Sequence, residues 1–435
     1  MTEQLKLKLN DSKATRWGAL VIVAFTMMAA YYVNDVVAPL KTMLETDLAW
    51  SSTDFGFFTG GYSFLNVFFL MLIWGGLILD RFGIRFTGKL ATILMVGGTA
   101  LEYYAMTGLA GTDATLFGIN EIFGYKTGVF VAFAGYSIFG VGAEVAGITV
   151  SKIIAKWFKG KELATAMGVQ VALARIGSQA GYAVAIPLAR AFGISTPVLL
   201  GLVLLLGGMI AFFVFTVMDK KLDKQMEAAA IAAGTEDEEE KFPFKDVKNI
   251  LVNPGFWLIA LLCVLFYSCV FPFQKFASEL MIIKYGINEN VAGTFAGLPA
   301  LGALILTPVF GGFIDKRGKS ASIMLLGSAM LICVHFIYAI PDINYWLVAI
   351  VLMIILGIAF SLVPSAMWPA VAKIFPVSQL GTAYALIFFI QNIGLWGIPT
   401  LIGWVLDAYC ISGKKPDGTN MYDYTVPMRS EEHTS

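Results

Sequence analysis

GYSIFGVGAEVAGITVSKIIAKWFKGKELATAMGVQVALARIG, residues Gly135 to Gly177, reads as two apolar helices joined by a basic turn, with one acid and one base inside them. At about 1.5 Å per residue, Glu144 and Arg175 lie about 12 and about 18 Å from the inner ends of their helices. Both depths are close to the middle of a hydrocarbon core about 30 Å thick. An ionised side chain there costs at least about 2.5 to 3.5 kcal/mol, so it turns toward a partner, a cavity or a substrate. Two readings follow: a static ion pair between neighbouring helices, or the two poles of a binding site.

The rest of the chain supplies the membrane that these depths assume. With 58% hydrophobic residues, 14% charged residues and a mean hydropathy of +0.75, 435 residues cannot present the polar surface of a soluble domain. The apolar runs are long and are separated by Gly, Lys and Arg clusters, which describes spanning helices and not barrel strands. A net charge of zero implies no nucleic-acid partner. Cys263, Cys269, Cys333 and Cys410 have neither metal-ligand nor disulfide-framework spacing, and His335 is the one histidine before the extreme C-terminus. No metal, cofactor or catalytic constellation is expected, so the chain is not read as an enzyme. The partners expected are a small-molecule substrate and the lipid bilayer, around a monomer.

Spanning helices are predicted at 17–40, 54–79, 87–106, 127–150, 162–188, 197–217, 256–282, 292–314, 320–340, 346–372 and 381–406. Placing the N-terminus in the cytoplasm puts most of the 30 Lys and Arg residues on the inner side. MTEQLKLKLNDSKATRWG then reads as a retained inner tail without a cleavage site. Four parts are expected: a six-helix bundle over 1–218, a solvated cytoplasmic linker over 219–254 that carries the run TEDEEEKFPFKDVKN, a second bundle over 255–428, and a tail over 429–435. That tail, RSEEHTS, resembles a translated sequencing adapter, so a twelfth helix is expected to be missing by truncation, and His433 is set aside.

The halves repeat each other. GGLILDRFGIR, with Gly76, Asp80, Arg81, Gly83 and Arg85, follows the second predicted helix, and GGFIDKRGKS, with Gly311, Asp315, Lys316, Gly318 and Lys319, follows the eighth. Leu163, Thr165, Ala166, Ile176 and Gly177 recur in order as Leu380, Thr382, Ala383, Ile393 and Gly394, which pairs Arg175 with Asn392. An all-α membrane protein of two parallel six-helix repeats places its substrate near the midplane between them. An Asp at a helix end beside Arg and Lys reads as a conformational latch, with glycines that permit close helix crossing.

The twice-occurring Gly-x-x-x-Asp-Arg-x-Gly-x-Arg pattern resembles the signature loops of the major facilitator superfamily. Within it, GVGAE (140–144), WFKGKEL (157–163), QVALARIGS (170–178), VFPF (270–273), WPAVAKIFP (368–376) and QLGTAYALIFFIQNIGL (379–395) resemble the branch of lysosomal dipeptide transporters. The resemblance implies that Glu144 takes the amine of a peptide and Arg175 its carboxylate. Tyr136 stands where the superfamily usually carries an Arg, so proton coupling is not implied. No acidic dileucine signal occurs, and the sequon Asn10-Asp11-Ser12 lies in the inner tail, so the expected location is a prokaryotic plasma (inner) membrane and not a lysosome.

Asn66, Gln391 and Asn392 offer uncharged donors and acceptors at depth and are placed in the site. Asp35 and Glu102, about 27 and about 22 Å along their helices, read as solvated or gating charges able to attract a cation or carry a proton. Trp368, before Pro369, and Phe273, after Pro272, read first as helix breaks and second as substrate contacts. Three functions are open: facilitated transport of short peptides, symport of a small organic anion with a proton, and a non-transporting receptor or scaffold.

Overall fold

Each predicted span is helical in the computed structural model, which describes residues 8–111, 115–233, 246–375, 377–415 and 418–425. The helices are α1 (Lys13–Val36), α2 (Lys41–Leu48), α3 (Ser52–Phe68), α4 (Met71–Thr107), α5 (Thr127–Trp157), α6 (Leu163–Phe192), α7 (Thr196–Ala233), α8 (Asp246–Val252), α9 (Pro254–Ile283), α10 (Glu289–Ala296), α11 (Leu298–Arg317), α12 (Ser320–Ala339), α13 (Trp346–Ile374) and α14 (Val377–Tyr409). Two hairpins complete it, β1 (Glu121–Ile122) with β2 (Tyr125–Lys126) and β3 (Ile411–Lys414) with β4 (Asn420–Tyr422). The acidic run at 234–245 and the tail with Arg429 and His433 lie outside the described residues, so the expected truncation does too.

Several spans differ from their predicted form. The second is broken: Leu70 adopts φ 53°, and the axis bends by 58° between α3 and α4. Within α4, Gly83 at φ 74° separates an arm over 71–82 from an arm over 84–107, which is the predicted third span. The eighth span is interrupted at Gly297, where a Cβ would meet the Gln179 side chain at 2.5 Å and Pro299 lacks an N–H for the preceding turn. By contrast, α9 runs through Pro272 and α13 through Pro364 and Pro369 without interruption, so Trp368 and Phe273 do not mark breaks. His335 meets the Cys269 carbonyl at 3.1 Å, in the turn where Pro272 leaves the ladder short of a donor.

Among the described residues, eight helices are individually long and apolar enough to cross a membrane, and the bent α3/α4 pair makes a ninth. Gln170, Arg175, Ser178 and Gln179 keep α6 below that threshold, and the second arm of α4 is counted with the first.

The repeat is visible in packing. A Cβ on Gly177 would lie 2.1 Å from the Met28 carbonyl oxygen of α1, and one on Gly394 would lie 1.9 Å from the Ser268 hydroxyl of α9. Equivalent glycines thus cross the first helix of each repeat. The spanning windows of α1, α5, α9 and α13 are 67, 78, 50 and 56% buried, against 22 to 33% for α7, α11, α12 and α14, so the former face the centre.

The two groups, α1–α7 and α9–α14, meet along α3 with α14 and along α6 with α10 and α11. We call the end where α1 begins the near face and the end where it finishes the far face. Among the described residues, the salt bridges between groups lie at the far face, Asp35 with Lys275, Lys41 with Glu279 and Arg190 with Glu289, together with the hydrogen bonds of Arg190 to Asn290 and of the Ser52 and Thr53 amides to Asp407. Deeper along α6, Gln179 donates to the Thr294 carbonyl and Tyr182 to the Gln274 carbonyl. Those at the near face stay within one group, as in Arg16 with Glu162 and Lys152 with Asp80. Gly56, Gly60 and Gly403 let α3 and α14 touch backbone to backbone in the far half. Among the described residues, the groups are therefore tied by salt bridges at the far face and not at the near one.

Candidate substrate site

Glycines set the site by letting backbones approach. A Cβ on Gly140 would sit 2.1 Å from the Tyr62 carbonyl oxygen, so α5 lies against α3, and one turn on the Tyr62 hydroxyl donates to Glu144 Oε1 at 3.0 Å. Gly177 draws α6 onto α1 at Met28, one turn before Tyr31. The Arg175 guanidinium consequently lies over the Tyr31 ring, 5.6 Å from its centroid, and over Phe360 of α13 at 5.0 Å. Each such cation–π contact is worth roughly 0.5 to 2 kcal/mol and spans the two groups.

No ion pair joins Glu144 to Arg175 among the described residues, and Arg175 has no carboxylate partner there. The static-pair reading therefore fails. Both side chains are half-buried, and Tyr31 lies within electrostatic reach of each. The arrangement is an acid and a base held apart by neutral aromatic groups, each with free hydrogen-bonding capacity. Removing the donor with Tyr62→Phe should keep the fold and weaken capture of a ligand amine by roughly tenfold, since a hydrogen bond to a charged group contributes about 1.5 to 3 kcal/mol. Calorimetric titration of the purified variant checks this.

Other residues fall into three places. Trp368 joins an aromatic wall: its indole N–H donates to Tyr267 Oη at 3.3 Å, its carbonyl accepts from Tyr384, and its ring lies 4.9 Å from Phe388. Tyr267 and Phe271 pack edge-on to Phe360, which links this wall to Arg175. Gln391 Oε1 accepts from the Cys263 thiol, and Asn392 donates to its own helix at Phe388 while its Oδ1 has no partner. Asn66 is buried with both amide atoms unpartnered. Among the described residues, no hydrogen bond ties Asn66, Gln391 or Asn392 to Glu144 or Arg175.

Asp35 lies elsewhere, at the far face, paired with Lys275 at 3.1 Å. Glu102 is fully buried, which corrects its reading as a solvated charge. Composition carried no label for Tyr62, Tyr267 or Phe360, because such residues are common in membrane helices. Lys275 and Glu279 did carry one: two charges one turn apart in an apolar helix.

The signature loops divide by residue. Gly83 and Gly318 adopt φ 74° and 79° at equivalent turns. Asp80 pairs with Lys152 at 2.9 Å, Arg85 with Asp219 and Asp223, and Arg81 lies over Phe82. Gly76 and Gly311 face open space, so neither is a close crossing here; Gly75 packs on Val145 instead. Lys316 and Lys319 are exposed. The start of the expected solvated linker is in fact structural: Asp219 is fully buried and holds Lys156, Arg85 and the Trp157 indole.

The family profile of the Major Facilitator Superfamily matches residues 20–397. The human lysosomal dipeptide transporter MFSD1 is 29% identical over 409 residues, covering 91% of this chain and 81% of that protein. Its chicken counterpart is 33% identical over 287 residues, covering 63% of this chain and 62% of its own length. Among solved structures, the nucleoside transporter NupG aligns with a TM-score of 0.67 at 12% identity over 94% of both chains. The E. coli xylose transporter XylE, inward open, aligns with a TM-score of 0.65 at 15% identity over 89% of both chains. A bacterial homolog of the human lysosomal transporter Spinster, inward-facing and unoccupied, gives 0.65 at 14% identity, covering 92% of this chain and 84% of that one.

Proposed function

This chain belongs to the major facilitator superfamily and is a membrane transporter, not an enzyme, and we propose that its cargo is short peptides, dipeptides in the first place. The carrying observation is that Glu144 and Arg175 both lie within electrostatic reach of Tyr31 yet are not paired with each other. A zwitterionic peptide satisfies both at once, its ammonium on the carboxylate beside Tyr62 and its carboxylate on the guanidinium fork. The aromatic wall of Tyr267, Phe360 and Trp368 offers apolar surface to side chains of differing size, which suits a carrier of many dipeptides. The similarity to proteins named as dipeptide transporters supports the same reading.

On this reading residues 1–218 and 255–428 rock against each other about 219–254, and the peptide moves down its gradient. The near face is taken as cytoplasmic, in a prokaryotic plasma membrane. A thermal-shift screen of purified protein tests the cargo: dipeptides should raise the melting temperature, while single amino acids and simple carboxylates should not. Stabilisation by carboxylates alone would favour an organic-anion carrier.

We read the signature loops as the near-face latch, released in this conformation. Asp80 and Lys152 are half-exposed, so their pair contributes little to stability. Asp80→Asn should slow peptide exchange severalfold in proteoliposomes while leaving dipeptide-induced stabilisation intact. Loss of binding by a folded variant would contradict the latch role.

A further inference from the structure

Lys275 reaches from α9 into a cage built wholly by the other group. Its ammonium donates to the Asn34 carbonyl and to Asp35 Oδ1 at 3.1 Å on α1, and to Tyr136 Oη at 3.3 Å on α5. The Tyr136 ring lies beneath it, 5.9 Å from nitrogen to centroid. Asn34 Nδ2 donates to Asp35 Oδ1 at 2.9 Å, and Tyr136 Oη donates to the Asn34 carbonyl at 2.8 Å, so the acceptors hold one another in place. Three acceptors meet the three N–H bonds of a primary ammonium, over an aromatic face.

A second carboxylate stands behind the cage. Glu102 is fully buried, and neither of its oxygens has a partner. Gly98 and Gly135 bring the second arm of α4 against α5, and a Cβ on Gly135 would lie 2.9 Å from the Glu102 amide nitrogen, directly beside Tyr136. Glu102 lies within electrostatic reach of both Lys275 and Tyr136. The group α1–α7 thus carries two acids here, and Lys275, the cation that faces both, arrives on the other group. Opening the far face withdraws that cation with α9 and leaves the acids in a low-dielectric wall without a counter-charge.

We propose that Asn34, Asp35 and Tyr136, backed by Glu102, form a binding site for a primary ammonium arriving from the far face, with Lys275 as its tethered competitor. An amine that enters takes the cage as Lys275 leaves, so opening is favoured when an amine is present. The coupling rests on the alternating-access reading above, but the site itself does not depend on the cargo.

The test uses purified full-length Lys275→Ala and methylammonium chloride, with no peptide, so it stands or falls apart from the dipeptide reading. The variant should melt below the wild type, and methylammonium should restore at least half of that loss. Tetramethylammonium, which has no N–H, and potassium at equal ionic strength should not; the wild type, in which Lys275 competes for the cage, should shift far less than the variant. Adding Glu102→Gln should raise the methylammonium concentration needed by roughly tenfold or more. If the Ala variant fails to accumulate, extraction of it and of Lys275→Gln with and without methylammonium gives the same reading as yield. No methylammonium-specific recovery in melting or yield, equal recovery with potassium, or an equal shift in the wild type overturns the proposal.

Discussion

Arg175→Ala lowers affinity for a free dipeptide by roughly 100-fold and hardly changes the weak binding of the same peptide amidated at its C-terminus. The magnitude follows from a two-pronged charge-assisted contact, each prong worth about 1.5 to 3 kcal/mol before solvent exchange is counted. The guanidinium is free to make it: it rests on Tyr31 and Phe360 and spends no donor on a carboxylate among the described residues. Amidation removes the same contact from the ligand side, so the two losses are not additive, and the cycle isolates one interaction. Acetylating the N-terminus should show the same relation to Glu144→Gln. Titration calorimetry of four protein–ligand combinations reads the result. Equal losses for free and amidated peptide would mean that Arg175 serves only to hold helices.

Lys41→Met has the largest expected effect on conformation. Lys41 is fully buried between Glu45 of its own helix at 2.6 Å and Glu279 of α9, with its ammonium 4.8 Å from the Tyr422 ring centroid. Lys415, after β3, lies 3.7 Å from Glu45 and 3.9 Å from Glu279, so two cations balance two carboxylates. Tyr424 caps Glu279, and Tyr422 donates to Asp407 at 2.7 Å, which ties the hairpin down over the seam. Removing one member of a buried pair costs about 3 to 5 kcal/mol because the other charge is stranded. The cost falls on the far-closed state, which should therefore lose population by on the order of 100-fold.

Cys410 reports this change without added labels. It is buried at the end of α14 beneath the hairpin, and burial pushes its thiol up to about 12, with Asp423 and Asp407 adding to the effect. A thiol whose folded value lies above its unfolded one stays protonated, and so slow to alkylate, until the pH approaches that raised value. In the wild type, maleimide attack at Cys410 should stay slow through pH 9. In Lys41→Met it should become fast near pH 8 to 9, as for an exposed thiol. Adding Glu279→Gln removes one stranded charge and should bring the slow rate back in part. An unchanged rate in Lys41→Met would show that the network does not hold the far face shut.

The architecture was legible because apolar runs of membrane length cannot be anything but helices in lipid, where each backbone polar group must be satisfied within its own segment. The repeat was legible because Gly177 and Gly394 do the same steric work in both halves. What could not be read was which partner each buried charge takes. Asp35 and Glu102 share a depth argument, yet one is clasped by Lys275 and the other is enclosed without a bond, a difference set by α9 and by the Gly98 and Gly135 crossing. Asp219 looked like the start of a solvated linker, because nothing local shows that α5 brings Lys156 and Trp157 to it. The breaks at Leu70 and Gly297 were hidden for a similar reason: hydropathy averages over a turn, and the bend is a matter of single dihedrals and of a neighbour's side chain.

The most direct measurement of the central claim is counterflow in proteoliposomes that contain only this protein. Vesicles loaded with an unlabelled dipeptide should take up the labelled dipeptide transiently above equilibrium, with no imposed ion gradient, and Glu144→Gln or Arg175→Ala should abolish the overshoot. Vesicles loaded with the acetylated or amidated peptide should give none. Uptake of the dipeptide that persists in both variants, or overshoot driven only by a small carboxylate, would contradict a site in which Glu144 and Arg175 grip the two ends of a peptide.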